Sequence, residues 1–396
     1  MTPEERNALV IILAAAVLAP LLSDRLAKWV RLPGIVLEIA LGILIGPHVL
    51  GWVHTNHVID VFATIGLLFL FFIAGFEINF KGIRGRPVSL AIAGWFVSVV
   101  LALAIGKTLE SSGLIISAVI VALAMTTTAV GSLLPMLRDA NEMETPLGRF
   151  VMAAGAIGEF GPIILMAFLL QTGSIVKTGG LIALFAALAI ATGWLASREH
   201  PPALIDVFRR MMHTSAQLPL RTVALLLGLV VLVTADLGLD TVLGAVTAGV
   251  VVSLAVKSDR EELVHKLDGV SFGFFIPIFF VVSGIRFDLS ALIANPETIL
   301  RVPLFLALFL IVRGLPALFL YRKDLPLRER LSLALLCATE LPLVVAITTI
   351  GVTRGLMHPE NAAALVGAGM LSVLLFPMIA FGMAARRKPQ ELRQAS

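Results

Sequence analysis

The sequence is poor in cysteine, tyrosine and charged residues. Its single cysteine, Cys337, excludes an internal disulfide and lies within an apolar run. One tyrosine and four tryptophans leave little for the aromatic belts that flank many membrane spans. Only 14% of the 396 residues are charged, 58% are hydrophobic and the mean hydropathy is +0.99, which excludes a soluble globular domain. We therefore predict an all-α membrane protein that crosses the bilayer many times.

Motifs of the common membrane enzymes and pumps are missing as well. The chain has no Walker loop, no dinucleotide fingerprint, no HExxH and no serine dyad signature. A primary pump and an intramembrane protease are therefore unsupported, and we predict a protein that is not an enzyme and holds no cofactor. The net charge of +4 does not indicate nucleic acid, because most Lys and Arg residues lie in short loops.

Thirteen apolar segments are candidate membrane spans, since a bilayer needs roughly 17 to 25 helical residues. Lys and Arg concentrate in alternate loops, which predicts a multi-pass protein of the inner or plasma membrane with its N-terminus outside and its C-terminus cytoplasmic. The segments cover residues 8–28, 33–50, 57–77, 88–107, 113–136, 148–171, 178–197, 219–236, 239–256, 270–287, 299–320, 328–351 and 361–384.

The two halves of the chain resemble each other. FFIAGFEINF in the third span aligns with FVVSGIRFDL in the tenth, and VLEIALG in the second aligns with VLGAVTAG in the ninth at nearly the same separation. Seven crossings separate the paired elements, so the repeats are predicted to be inverted, as in many transporters. We expect a single membrane transporter domain with a first repeat at 1–172, a linker helix and inner amphipathic loop at 173–218, and a second repeat at 219–396.

The sixth span, GRFVMAAGAIGEFGPIILMAFLL, carries one ionisable side chain away from its ends, Glu159. A carboxylate at the middle of a span costs roughly 2.5 kcal/mol or more on insertion scales, so it is seldom there for packing. Gly158, Gly161 and Pro162 beside it loosen the local backbone. The sequence therefore favours a site that binds a monovalent cation, a proton, or each in turn. A carboxylate capped or salt-bridged for structure alone is the alternative.

Spans five and twelve are the candidates for interrupted helices. Span five carries Thr126, Thr127 and Thr128 in a row, and span twelve carries Thr339 and Glu340 just before a proline. A helix that opens at the midplane frees backbone groups that can coordinate a cation, and threonine hydroxyls add oxygen ligands. Back-bonding to the preceding turn, or hydrogen bonds between helices, would explain the same threonines without a site.

Arg313 is the one cation within a predicted span, in LFLIVRGLPALFL. It keeps its proton in any ordinary environment and needs a partner, for which Glu340 and Glu159 are the candidate acids. Snorkelling to the inner surface is the alternative. Because Arg313 lies about eight residues, or roughly 12 Å, from the inner end of its span, an ion pair is favoured.

Five segments together resemble one known family. LPGIVLEIALGILIGPHVLG is similar to the family's second-span pattern LPxVLGEIxAGIxxGPxxLG, with Leu37 where glycine is usual. FLFFIAGFEINF, TTTAVGSLLPMLRDANEMETPLGR, FGFFIPIFFVVSGIRFDL and ATELPLVVA resemble its third, fifth, tenth and twelfth spans. On these residues the chain resembles the monovalent cation:proton antiporters of the CPA2 branch, which includes Kef-type potassium efflux proteins and NapA-type sodium/proton antiporters.

The resemblance implies an NhaA-like fold with crossed discontinuous helices, a homodimer and a mobile core that moves as an elevator. Glu159 falls on the family's ion- and proton-binding carboxylate, and Thr127 and Thr128 fall on the unwound span beside it. Arg313 falls where many members have lysine and electroneutral exchangers have arginine, and Glu340 matches the acid of the second crossing helix.

One departure from the family pattern changes the expected charge balance. Some members have two adjacent acids or an Asn-Asp pair in the sixth span. This chain has Gly158 and Glu159 at those two positions, so it keeps one acid there. This predicts electroneutral exchange of one Na⁺ or K⁺ for one H⁺. A Kef-type potassium channel and a non-transporting sensor paralogue are the alternatives.

Overall fold

The computed structural model describes residues 2–26, 34–77, 85–130, 133, 136–137, 140, 142–169, 217–237, 241–256, 260–287, 289–290 and 296–385. Regular structure in these ranges is helical throughout. Nine helical stretches within them are long and apolar enough to cross a membrane, judged by length and composition. The chain is thus a multi-pass helical membrane protein, as predicted. The seventh predicted span, 178–197, and the amphipathic loop after it lie outside the described residues.

Fifteen α-helices are assigned in the described part of the chain. They are α1 (Pro3–Leu26), α2 (Gly34–Ile45), α3 (His57–Glu77), α4 (Arg86–Ser111), α5 (Ala118–Met125), α6 (Pro146–Leu169), α7 (Leu218–Asp236), α8 (Thr241–Ala255), α9 (Arg260–Val270), α10 (Ile276–Ile285), α11 (Pro296–Phe309), α12 (Leu315–Leu320), α13 (Leu327–Cys337), α14 (Pro342–Thr353) and α15 (Pro359–Ala385).

Two of the predicted spans are interrupted, and they are the two for which an interruption was expected. In span five, α5 ends at Met125 because the next threonine hydroxyls bond to its last carbonyls instead of letting the helix continue. In span twelve, α13 ends at Cys337 and α14 begins at Pro342, which has no N–H to donate to a preceding helical turn and suits the first turn of a new helix. Gly131 and Pro135 of span five lie outside the described residues.

Two other spans widen into single π-helical turns, at Ser271–Phe275 between α9 and α10 and at Leu310–Gly314 between α11 and α12. Each turn is followed two residues later by a proline, Pro277 or Pro316. Proline has no N–H to offer the carbonyl four residues back, so the helix loses a bond at that place and the turn opens. The second of these turns contains Arg313.

The described residues form two compact units. The first comprises residues 1–16, 53–79 and 163–282, and its centre is a close crossing of α3 and α8. A Cβ on Gly75 would lie 2.1 Å from the carbonyl oxygen of Val246, and a Cβ on Gly249 would lie 2.1 Å from that of Phe72. Only glycine fits at such contacts, which are common where membrane helices pack backbone to backbone.

The second unit comprises residues 17–52, 80–162 and 283–396 and contains every candidate site residue. One end of it has an apolar core in which Phe150 meets Tyr321 edge to face at 5.1 Å. Near this core Arg86 at the start of α4 donates two hydrogen bonds to Asp324, with 2.8 Å between Nη2 and Oδ2. These bonds hold the pKa of Asp324 below its ordinary value, because they favour the charged carboxylate.

Candidate functional site

The opened end of α5 is stabilised by its own threonines. Thr126 Oγ1 donates to the carbonyl of Leu123 at 2.9 Å, and Thr127 Oγ1 donates to that of Ala124 at 3.1 Å. Back-bonding, the structural alternative for this triplet, is therefore present. It uses only the hydroxyl protons, however, and leaves oxygen lone pairs that can still accept a donor or a cation.

The two interruptions are hydrogen-bonded to each other. The amide of Ala129 donates to the carbonyl of Thr339 at 2.8 Å, and Thr128 Oγ1 lies 2.7 Å from the carbonyl of Cys337. Backbone groups that neither helix can satisfy internally thus find partners in the opposite break, as buried polar groups in a membrane protein must. The threonine triplet and the Thr339–Glu340 segment therefore lie side by side in the structure.

We call the place where residues 126–129 and 337–340 meet the junction. Glu340 is fully buried there, with 0% of its surface exposed. Its amide donates to Ser372 Oγ of α15 at 2.9 Å, and its Oε2 lies 3.3 Å from Thr127 Oγ1. Its Oε1 has no hydrogen-bond partner among the described residues. A buried carboxyl oxygen without a donor is costly, so this atom is a natural place for a proton or a cation.

Arg313 extends from the π-helical turn towards the first interruption and is 4% exposed. Its Nε and Nη2 both reach Thr128 Oγ1, at 3.1 and 2.7 Å. Its Nη2 also lies 3.2 Å from the carbonyl of Ala154, and its Nη1 lies 3.5 Å from Ser98 Oγ. The guanidinium is therefore held inside the protein, and the snorkelling alternative is wrong.

An ion pair of Arg313 with Glu159 stays a prediction. Glu340 forms no salt bridge with Arg313, although both residues are described, and its Oε2 lies near Thr127 Oγ1. The guanidinium donates to the hydroxyls of Thr128, after α5, and Ser98, in α4, and to the carbonyl of Ala154 in α6. The residue types in the sequence could not reveal this, because backbone carbonyls are acceptors at every position.

Glu159 is half-buried in α6, one residue after the point where that helix touches the junction. Pro162 cannot donate to the carbonyl of Gly158, and that carbonyl accepts the amide of Thr128 at 3.1 Å instead. A Cβ at position 158 would lie 2.4 Å from Arg313 Nη2 and 2.6 Å from Thr128 Oγ1. The glycine at 158 therefore lets the guanidinium and the threonine pack against α6 directly beside Glu159.

Three side chains at the junction were missed by the sequence analysis. Trp95 and Ser98 come from α4, where Trp95 Nε1 donates to the carbonyl of Thr126 at 3.2 Å and Ser98 lies next to Arg313. Ser372 from α15 exchanges hydrogen bonds with the backbone of Glu340. Trp95 and Ser98 are three residues apart and so share one face of α4, which could have indicated a contact with the site. Serine back-bonding and tryptophan packing are both common in membrane helices, however, so the pattern was not specific.

Interrupted helices that meet around buried ionisable side chains are typical of the secondary transporters of membranes. Within that class the comparison is specific. The sodium/hydrogen exchanger family of transmembrane proteins matches residues 13–385, and the chain belongs to this family, as a CPA2-type member.

Curated relatives extend over most of the chain. YjbQ of Bacillus subtilis is 28% identical over 96% of this chain and 63% of its own length. Cation/H⁺ antiporter 18 of Arabidopsis thaliana is 25% identical over 96% of this chain and 49% of its own length. Na⁺/H⁺-K⁺ antiporter GerN of Bacillus cereus is 27% identical over 70% of this chain and 71% of its own. The chain thus spans about half to two thirds of the length of the first two relatives.

Proposed function

We propose that this chain is a secondary antiporter that exchanges a monovalent cation, Na⁺ or K⁺, for H⁺. The observation that carries the proposal is the junction of the two interrupted helices, where Glu340 Oε1 is buried without a donor and Arg313 is buried among neutral oxygens. Such groups are expensive in a membrane and are retained where an ion or proton passes. Several relatives are also named for exchange of Na⁺ or another cation against H⁺.

In this mechanism Glu159 is the group that carries either the cation or the proton. It follows Gly158, whose carbonyl accepts from the junction, and it lies in the helix that a proline opens. A carboxylate binds a hard monovalent cation through oxygen and binds a proton at the same atom, so the two ligands exclude each other. Alternation of the two at one carboxylate is what couples their movements.

The threonines have different parts in the proposal. Thr126 and Thr127 keep hydroxyl lone pairs and supply oxygen ligands beside the acids. Thr128 accepts two N–H groups of Arg313, so its lone pairs are occupied and it anchors the arginine. Thr339 binds Ala129 through its carbonyl and holds the second interruption in place.

Exchange of one cation for one proton would be electroneutral. Arg313 keeps its charge throughout the cycle, since a guanidinium does not lose its proton in a protein. A Glu159 carboxylate that holds Na⁺ or K⁺ has the same net charge as one that holds H⁺. The loaded core would then cross the membrane with the same charge in both directions.

The remaining features of the proposal rest on the sequence patterns and on the resemblance to the family. They are thirteen spans arranged as two inverted repeats with an NhaA-like fold, an outside N-terminus, a cytoplasmic C-terminus, a homodimer and an elevator movement of the core. Among the described residues, nine long apolar helices and two shorter ones, Gly34–Ile45 and Thr241–Ala255, support a chain that crosses the membrane many times. Residues 173–216 of the proposed linker lie outside the described residues.

Purified protein in vesicles tests the exchange and its charge balance together. A Na⁺ or K⁺ gradient is expected to drive protons the opposite way, reported by an internal pH dye, with a rate that changes less than about twofold when 100 mV is imposed. If each cycle moved one net charge, 100 mV would instead change the free energy of exchange by about 2.3 kcal/mol, which corresponds to roughly fiftyfold in its equilibrium constant. Vesicles without protein are the control.

The three remaining outcomes are distinct. Proton movement that depends strongly on voltage would overturn the electroneutral stoichiometry and leave exchange intact. Cation flux with no proton movement would favour the Kef-type channel. No flux of either ion, from either face and with Na⁺, K⁺ or Li⁺, would favour the sensor and contradict the proposed function.

A further inference from the structure

Trp95 is the one aromatic side chain whose polar atom contacts the opened backbone of span five in the described part of the chain. It lies in the middle of α4 and is 9% exposed. Its indole Nε1 donates to the carbonyl of Thr126 at 3.2 Å. Thr126 is the first residue after α5, so its carbonyl has no helical partner to accept from.

The same indole ring is pressed against α6. A Cβ at position 161 would lie 2.4 Å from Cε2 and 2.5 Å from Cζ2 of Trp95, so the ring occupies the space that only glycine leaves open. Gly161 is two residues from Glu159 and directly precedes Pro162. One rigid side chain therefore fixes the distance between the first interruption and the helix that carries the acid.

The hydrogen bond also changes which oxygens a cation can use. The carbonyls of Leu123 and Ala124 accept threonine hydroxyls, and that of Thr126 accepts Trp95. The carbonyl of Thr127 lies 2.8 Å from Thr128 Oγ1, but that hydroxyl has one proton and lies even closer to another acceptor, the carbonyl of Cys337 at 2.7 Å. The carbonyls of Thr128 and Ala129 accept the amides of Val130 and Leu133, so among residues 126–129 only the Thr127 carbonyl depends on a shared hydroxyl.

We infer that Trp95 is a positioning residue for cation selection: it withholds the Thr126 carbonyl from the cation and leaves the Thr127 carbonyl as the backbone ligand. The inference rests on the proposed function and adds a determinant of it. A ligand set fixed by a rigid ring discriminates between cations of different radius, because it cannot contract or expand around the wrong one.

Trp95→Phe tests this inference, since it keeps a ring against Gly161 and removes the N–H. In the vesicle assay we expect the KM for the preferred cation to rise roughly threefold to tenfold, the range that loss of one buried hydrogen bond gives, while the maximal rate changes less than about twofold. We also expect the ratio of the KM values for Na⁺ and K⁺ to move towards one. Trp52→Phe, the same change at a residue that is 62% exposed, is the matched control.

A second substitution covers the case in which Trp95→Phe fails to fold. Benzothienylalanine, introduced at position 95 by suppression of a stop codon, has the shape of tryptophan and lacks the N–H. It is expected to reproduce the change in KM and in cation preference. A wild-type KM and an unchanged Na⁺/K⁺ ratio in the variant that folds would overturn the inference.

The result also separates this inference from the proposed function. If the wild type carries out exchange and Trp95→Phe has the same KM and cation preference, only the role of Trp95 is overturned. Absence of exchange in the wild type would overturn the proposed function, and the inference with it. A fall in maximal rate with no change in KM or cation preference would mean that Trp95 only supports packing, which also contradicts the inference.

Discussion

Glu159→Gln is expected to abolish cation-driven proton movement, with a loss of at least about 100-fold in vesicles. Glutamine has nearly the same shape as glutamate, so α6 should keep its contacts at Gly158. It cannot release a proton or carry the negative charge that a cation needs, and both halves of the exchange are lost at once. The measurement is the initial rate of internal pH change after a Na⁺ or K⁺ gradient is imposed, normalised to the protein recovered in the vesicles.

A conservative acid elsewhere provides the control for this variant. Glu297 lies at the exposed start of α11, and Glu297→Gln makes the same chemical change there. This variant is expected to carry out exchange at the wild-type rate. Size-exclusion chromatography of both variants checks that each is folded. Proton-coupled exchange that survives in Glu159→Gln at more than about a tenth of the wild-type rate would move the coupling site to another group, Glu340 first.

Gly158→Ala is expected to reduce exchange by about 100-fold and to destabilise the protein. The added methyl would lie 2.4 Å from Arg313 Nη2 and 2.6 Å from Thr128 Oγ1. Although an arginine tip is flexible in general, this one is buried and held by Thr128 and the carbonyl of Ala154, so it cannot move without breaking those bonds. Overpacking of this kind costs about 1–3 kcal/mol, and a displacement of about 1 Å beside a reacting group can cost 100-fold in rate.

A compensating substitution identifies the cause of that defect. Lysine lacks the forked tip of arginine, so Arg313→Lys in the Gly158→Ala background should remove the overlap and restore most of the lost thermal stability. Gly228→Ala, in α7, adds the same methyl where no atom lies within 4 Å and is expected to leave stability and exchange unchanged. Wild-type activity in Gly158→Ala, or no gain of stability in the double variant, would contradict the packing described for Arg313.

Much of the architecture that matters for the site follows from local chemistry and was therefore predictable. Thr126 and Thr127 end α5 because their hydroxyls compete for its carbonyls, and Pro342 cannot continue a preceding helix and begins α14. Glu159 and Arg313 were found because a charge in an apolar span is costly enough to need a reason. The family resemblance drawn from five short segments is confirmed by the match over residues 13–385.

The partners of these side chains were harder to predict, because they are set by carbonyls rather than by side chains. Arg313 donates to Thr128 and Ala154, and Trp95 donates to Thr126, at places where a proline or a helix end has freed an oxygen. A sequence shows where a carbonyl is freed, as at Gly158 four residues before Pro162, but not which donor from another helix will meet it. That information depends on how the helices cross.

Proton release upon cation binding shows whether a cation and H⁺ compete for Glu159. Purified protein in weakly buffered detergent solution receives Na⁺ or K⁺ to saturation, and the protons that appear are counted with a pH indicator. If a cation and a proton compete for Glu159, we expect about one proton released per chain under conditions where the acid starts protonated, and none from Glu159→Gln. Cation binding without proton release, or undiminished release from Glu159→Gln, would contradict the account.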